Sequence, residues 1–340
     1  MIYTVASKEA NMVRRLILIL PLLFSGVASA AEVTDSTGRA VQIPDQILHV
    51  LPAGPPAAIL LEAIAPDLMV GWPGPLPDDA KTLLPDSAAH PRIPRLTGRD
   101  DVTEQIKALK PDLIIDYGEV APRYFELAQT AQKKTGIPTL LFAGSLDNIP
   151  LVVRQVGAIL HREARAETLA TFAEAMLALP VMSLPASLGP HPRVLYARGA
   201  DGLTVTAADT DVTEVFKRLG WQVIAPDGQG TFRKSNIEAI AALDPDILIF
   251  SDPAMRTILA QPDAWKSVRA IRERHALVAP ALPFGWIEEP PSINRLLGLA
   301  WLGGHEPAIT AATFYAVVYG RALTQTQLDA VLGGVRSIQP

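Results

Sequence analysis

Eight side chains concentrate the chemistry this sequence offers: Trp72, Arg99, Tyr117, Tyr196, Arg198, Arg233, Phe284 and Trp286. Each stands at the end of a β-prone run or in a Gly- or Pro-containing loop, where open parallel sheets place binding groups. A guanidinium presents a planar fork of donors to anionic oxygens, and indole, phenol or phenyl faces cover delocalised surface. That chemistry recognises a ligand rather than breaking a bond. The chain has no Gly-x-Ser-x-Gly elbow, no His-Glu-x-x-His helix and no Gly-x-x-x-x-Gly-Lys phosphate loop. His49, His90, His161, His191, His275 and His305 are scattered without ligand spacing, so no metal site is expected. Cysteine is absent, which removes disulfides, thiolate catalysis and a lipid attachment site.

The elements that must position these residues follow an α/β pattern. Val33–Pro44 reads as a hairpin around a Gly-containing turn. Short apolar runs then alternate with helical stretches, as in a parallel sheet covered on both faces. Ala108–Ile115 (Ala-Leu-Lys-Pro-Asp-Leu-Ile-Ile) lines up with Ala242–Ile249 (Ala-Leu-Asp-Pro-Asp-Ile-Leu-Ile), each a helix end, a Pro-Asp turn and a buried strand. Between these repeats, Ala158–Leu179 contains neither Gly nor Pro. As one helix it would reach about 33 Å, long enough to join two lobes. The expected architecture is therefore two parallel-sheet, Rossmann-like lobes joined by one long helix, with a cleft between them. The expected boundaries are 31–157, 158–182 and 190–340.

With 340 residues and 49% hydrophobic content, the chain can build sizeable cores. A formal charge of −5 and no basic run argue against nucleic acid. Met12-Val13-Arg14-Arg15 precedes an aliphatic run from Leu16 to Phe24 and an Ala28-x-Ala30 site. This is the layout of a secretory signal peptide, so we expect residues 1–30 to be removed and the product to be a periplasmic monomer, not a lipoprotein.

Taken in order, these features resemble the class III periplasmic solute-binding proteins of ABC importers. The hairpin Thr34-Asp35-x-x-Gly38-Arg39-x-Val41-x-Ile43-Pro44, both Pro-Asp strands and the closing Pro290-Pro291-Ser292-x-Asn294-Arg295 segment carry the resemblance. It implies capture of an iron complex such as a ferric siderophore, with no cofactor, and delivery to an inner-membrane permease dimer with its ATPase. It also implies that Glu62 and Glu214, one acid per lobe, dock onto permease arginines. Cobalamin, haem and molybdate or tungstate stay open as cargo, although Thr97-Gly98-Arg99 lacks the tyrosine that haem-binding members usually carry there. An enzyme of the tetrapyrrole chelatase type shares the architecture but would need a metal-handling histidine in the cleft.

Overall fold

The computed structural model describes residues 30–76, 78–98, 101–182 and 184–335. The expected signal peptide, apart from Ala30, and Arg99 lie outside them.

Strands β1 (Ala30–Thr34) and β2 (Ala40–Pro44) form the expected antiparallel hairpin, with Val33 opposite Val41. Asp35 explains its sequence motif. Its carboxylate accepts from Thr37 N, Thr37 Oγ1 and Arg39 N, and across to the sheet from Leu141 N at 3.3 Å. Arg39 returns a fork to Asp35 and a further bond to Thr139 O at 2.7 Å. The hairpin is thereby riveted to the first lobe by one ion pair that is buried on its acid side.

In that lobe β3 (Val50–Pro52), β6 (Leu113–Gly118) and β7 (Thr139–Ala143) run parallel in the order β3-β6-β7. A parallel bridge from Val50 to Met69 links them to the short parallel pair β4 (Trp72–Pro73) and β5 (Arg92–Ile93). The second lobe has β8 (Arg193–Arg198), β9 (Thr204–Thr206), β10 (Gln222–Val223), β11 (Phe232–Lys234), β12 (Ile247–Phe250) and β13 (Ala276–Val278). Its order is β11-β9-β8-β12-β13, with β10 also on β8. The α/β expectation holds for both lobes, with one addition. β9 and β11 are antiparallel and extend the second sheet over the cleft side. Thr-Val-Thr and Phe-Arg-Lys are too short and polar to stand out as strands in sequence.

The connecting helix departs from expectation. Ile149–Ile159 and Glu163–Leu177 are two helices, and only the second joins the lobes. The break is a Schellman motif: Arg162 N donates to Gly157 O at 2.7 Å and His161 N to Ala158 O, with His161 at φ +54°. Close packing of the two helices stabilises the turn. A Cβ at position 157 would lie 2.1 Å from that of Ala166, so only glycine lets them approach. The strut thus spans 163–177 rather than 158–182.

Helices Arg295–Leu302 and Pro307–Val318 return from the second lobe onto this strut. Arg165 stitches the arrangement from behind. Its Nε donates to Ala63 O at 2.9 Å, at the end of helix Pro55–Ile64 in the first lobe. Its other nitrogens donate to Val317 O and Val318 O, the last carbonyls of Pro307–Val318. A cation at two helix C-termini suits both orphan carbonyls and both dipoles. The main apolar core runs without interruption from Val41 through the strut to Trp301 and Val331, so the lobes share one core.

Candidate functional site

Between the lobes lies a cleft of about 960 Å³, walled by residues 53–144 of the first lobe and 198–295 of the second. Strand C-termini open into it, with β6 supplying Asp116, Tyr117 and Gly118 and β8 supplying Arg198.

Of the eight expected side chains, four line this cleft: Trp72, Tyr117, Arg198 and Phe284. Trp72 and Phe284 come from opposite lobes and stack in parallel, with ring centroids 5.6 Å apart and planes 4° from parallel. Both are almost wholly buried, so they close the cleft against each other. Tyr117 sits in the floor with its hydroxyl unpartnered, and burial pushes its pKa up to about 12. Arg198 stands at the rim of the second lobe. Its Nε lies 2.7 Å from Glu288 and its Nη2 2.6 Å from Glu289, while its guanidinium covers the ring of Phe232 at 4.1 Å. Burial disfavours the charge of Arg198, but the two carboxylates outweigh it and hold its pKa above the ordinary value.

Three expectations are corrected. Tyr196 is buried behind the site, packed on Phe216 and next to Ser251 and Glu288, so it supports the Arg198 pair rather than facing the cleft. Trp286 is fully buried edge-on to Trp301, and its carbonyl lies where a Cβ on Gly298 would come within 2.3 Å. Its loop is therefore pressed onto helix Arg295–Leu302. Arg233 turns back onto its own loop, donating to Pro226 O and Gly230 O. Side chains alternate along a strand, so Phe232 takes the cleft side of β11 and Arg233 the other.

The acids expected at the permease surface are both engaged. Glu62 is 9% exposed, and burial beside Ser87 raises its pKa. It is not a surface carboxylate. Glu214 bridges the lobes: its Oε2 accepts from Leu146 N at 2.7 Å and from Arg295 Nη1 at 3.0 Å.

Arg295 is the main residue of the site that the sequence did not single out. It is wholly buried at the cleft floor and donates to Gly144 O in one lobe and to Asp211 O in the other. On the first-lobe rim, Arg123 pairs with Glu119 at 2.8 Å and covers the ring of Tyr124 at 4.5 Å. Each rim thus carries an acid, an arginine and an aromatic ring in the same relation. Glu289 reaches Arg198 from a backbone at φ +70°, a conformation non-glycine residues adopt only under constraint. Burial pushes Asp116 up to about 6 and Glu288 up to about 7. Among the described residues, no group of three His, Cys, Asp or Glu is arranged to hold a metal ion, and no helix is long and apolar enough to cross a membrane.

Residues 72–282, more than half of the chain, match the family described as periplasmic binding protein, and the chain belongs to that family. No curated protein matches it in sequence. Among solved structures it is similar to an ABC transporter solute binding protein from Sulfurospirillum deleyianum, at 22% identity and a TM-score of 0.79 over 88% of this chain and 98% of that one. It is also similar to a molybdate periplasmic binding protein from Haemophilus influenzae, at 16% identity and 0.67 over 86% and 99%. A third is an Fe3+-hydroxamate transport protein from Saccharomonospora viridis, at 18% identity and 0.55 over 79% and 96%. At these identities the likenesses speak for the fold.

Proposed function

We propose that this protein is the solute-capturing component of an ABC importer, and that its cargo is an organic iron chelate of the ferric siderophore type. In this reading the cargo is held between the lobes in the periplasm and delivered to an inner-membrane permease dimer. The size of the cleft carries the proposal. About 960 Å³ lies at the upper end for small-molecule sites and would leave a bare tetrahedral oxyanion far from most of the wall. Rings and guanidinium groups from both lobes line it, as an organic chelate with delocalised surface requires. For delivery, Glu214 keeps about a quarter of its side chain exposed and is the acid within reach of a permease arginine.

The test is a thermal-shift and tryptophan-fluorescence titration of the protein without residues 1–30. The panel holds ferric hydroxamates, a ferric tris-catecholate, haemin, cobalamin, molybdate and tungstate. A ferric chelate should raise the melting temperature by mass action and the others should not. Stabilisation by an oxyanion or a corrinoid alone would overturn the iron assignment.

A further inference from the structure

The resemblance to iron-complex binders, with arginine at both rims, invites the expectation of an anionic cargo. The ion pairs point the other way. From them we propose that the cleft selects a chelate without net negative charge, neutral or cationic. This deepens the reading above and rests on it.

Three of the four arginines described in the cleft are already paired with carboxylates. Arg198 is held by Glu288 and Glu289, and Arg123 by Glu119. Arg295 is wholly buried and spent on Glu214 and two carbonyls. Arg95, the fourth, is exposed, donates to Pro73 O and has no described carboxylate partner.

The carboxylates are in surplus: six line the described cleft against four guanidinium groups, and of the six Asp209 is paired with Lys217 at 3.0 Å. Asp116, on the first lobe, accepts one backbone bond, from Tyr117 N at 2.9 Å, and no described cation pairs with it. Asp211, on the second, lines the same cleft, and no described ion pair engages its carboxylate. Carboxylates from both lobes therefore line the one cleft. A polyanion entering here would lose its hydration and meet these carboxylates with Arg95 as the one described lining cation not paired with a carboxylate. A neutral or cationic complex meets two arginine-backed rings, Phe232 and Tyr124, and sets no negative charge against the carboxylates. Phe232 is 43% exposed, so part of its surface stays open to a ligand.

The test is a charge series measured by calorimetry on the wild type and on Asp116→Asn/Asp211→Asn. The probes are a monocationic and a neutral ferric trihydroxamate, a triply anionic ferric tris-catecholate, molybdate, neutral cyanocobalamin and cationic aquocobalamin. The wild type should bind a neutral or cationic member at least about tenfold more tightly than any anion. The double variant should narrow that ratio by about tenfold or more, its melting curve showing that it is folded. Tighter binding of the tris-catecholate or molybdate overturns the charge rule and leaves the transport reading standing. Binding of a corrinoid but of no ferric chelate supports the charge rule and overturns the iron assignment. An unchanged ratio in the double variant overturns the role given to the two aspartates, and no binding by any member overturns both readings.

Discussion

Arg295 offers the sharpest test of how the lobes are held. Arg295→Met keeps most of the side-chain volume and removes three hydrogen bonds. It strands Gly144 O in one lobe, Asp211 O in the other, and one of the two bonds to the Glu214 carboxylate. Breaking a buried ion pair from one side costs about 3–5 kcal/mol. Glu214 retains its bond from Leu146 N and some hydration, which places the loss at the lower end, about 3 kcal/mol. For a chain of this size that corresponds to a fall in melting temperature of roughly 4–5 °C. The assay is urea unfolding followed by tryptophan fluorescence and circular dichroism together. Glu214→Gln and the double variant complete the cycle. The double variant should be less destabilised than the sum of the singles by about 1–3 kcal/mol, because no charge is left stranded. A loss below about 0.5 kcal/mol for Arg295→Met, or strict additivity in the cycle, would refute the clamp.

Three further outcomes follow from single sites. Glu288 titrates near 7 in the fold against an ordinary 4.5, so its protonated form is favoured by folding. The stability it contributes is full below pH about 4.5 and is lost as pH rises through about 7, by roughly 2–3 kcal/mol. Glu288→Gln mimics the protonated acid, so its stability relative to wild type should rise from pH 5 to pH 8; a flat difference in denaturant midpoints would contradict this. Asp35→Ala strips the acceptor from Thr37 N, Arg39 N and Leu141 N and should cost about 2–4 kcal/mol, read as a lower melting temperature and faster proteolysis at the hairpin. A double-mutant cycle of Trp72→Ala and Phe284→Ala should show a coupling of about 0.5–1.5 kcal/mol, and independence of the two would mean that the stack does not bind the lobes together.

The sequence carried the parts of this architecture that depend on local pattern. The hairpin is legible because Asp35, Gly38 and Arg39 are all required by one turn, and the repeated Pro-Asp strands announce two sheets. What stayed hidden depends on contacts distant in the chain. The break at His161 is not announced locally, because its left-handed residue is a histidine and Gly157 shows its role only where it meets Ala166 on the next helix. Arg233 and its neighbour Phe232 were separable only by the register of β11 on β9, which sets which of them faces the cleft. Arg295 was visible as part of a motif, but nothing local says that its side chain reaches carbonyls 84 and 151 residues away. Glu62 reads as a polar position on a helix and becomes buried only when the segment around Ser87 covers it.

These long-range contacts also constrain how the cleft can move. Arg165 ties the first-lobe helix to the returning helix behind the strut, Arg295 and Glu214 tie the floor, and Trp72 and Phe284 tie the walls. A hinge opening about the strut must break at least the floor and wall contacts, and it works against a core continuous through both lobes. A cargo therefore meets a preformed site and loses little ordering entropy on binding, which favours affinity. The same rigidity makes release the harder step. A partner cation that engaged Glu214 would compete with Arg295 for the one carboxylate oxygen that also holds Leu146 N. Docking at that point would loosen the floor of the cleft, so delivery and opening would draw on one ion pair rather than two separate events.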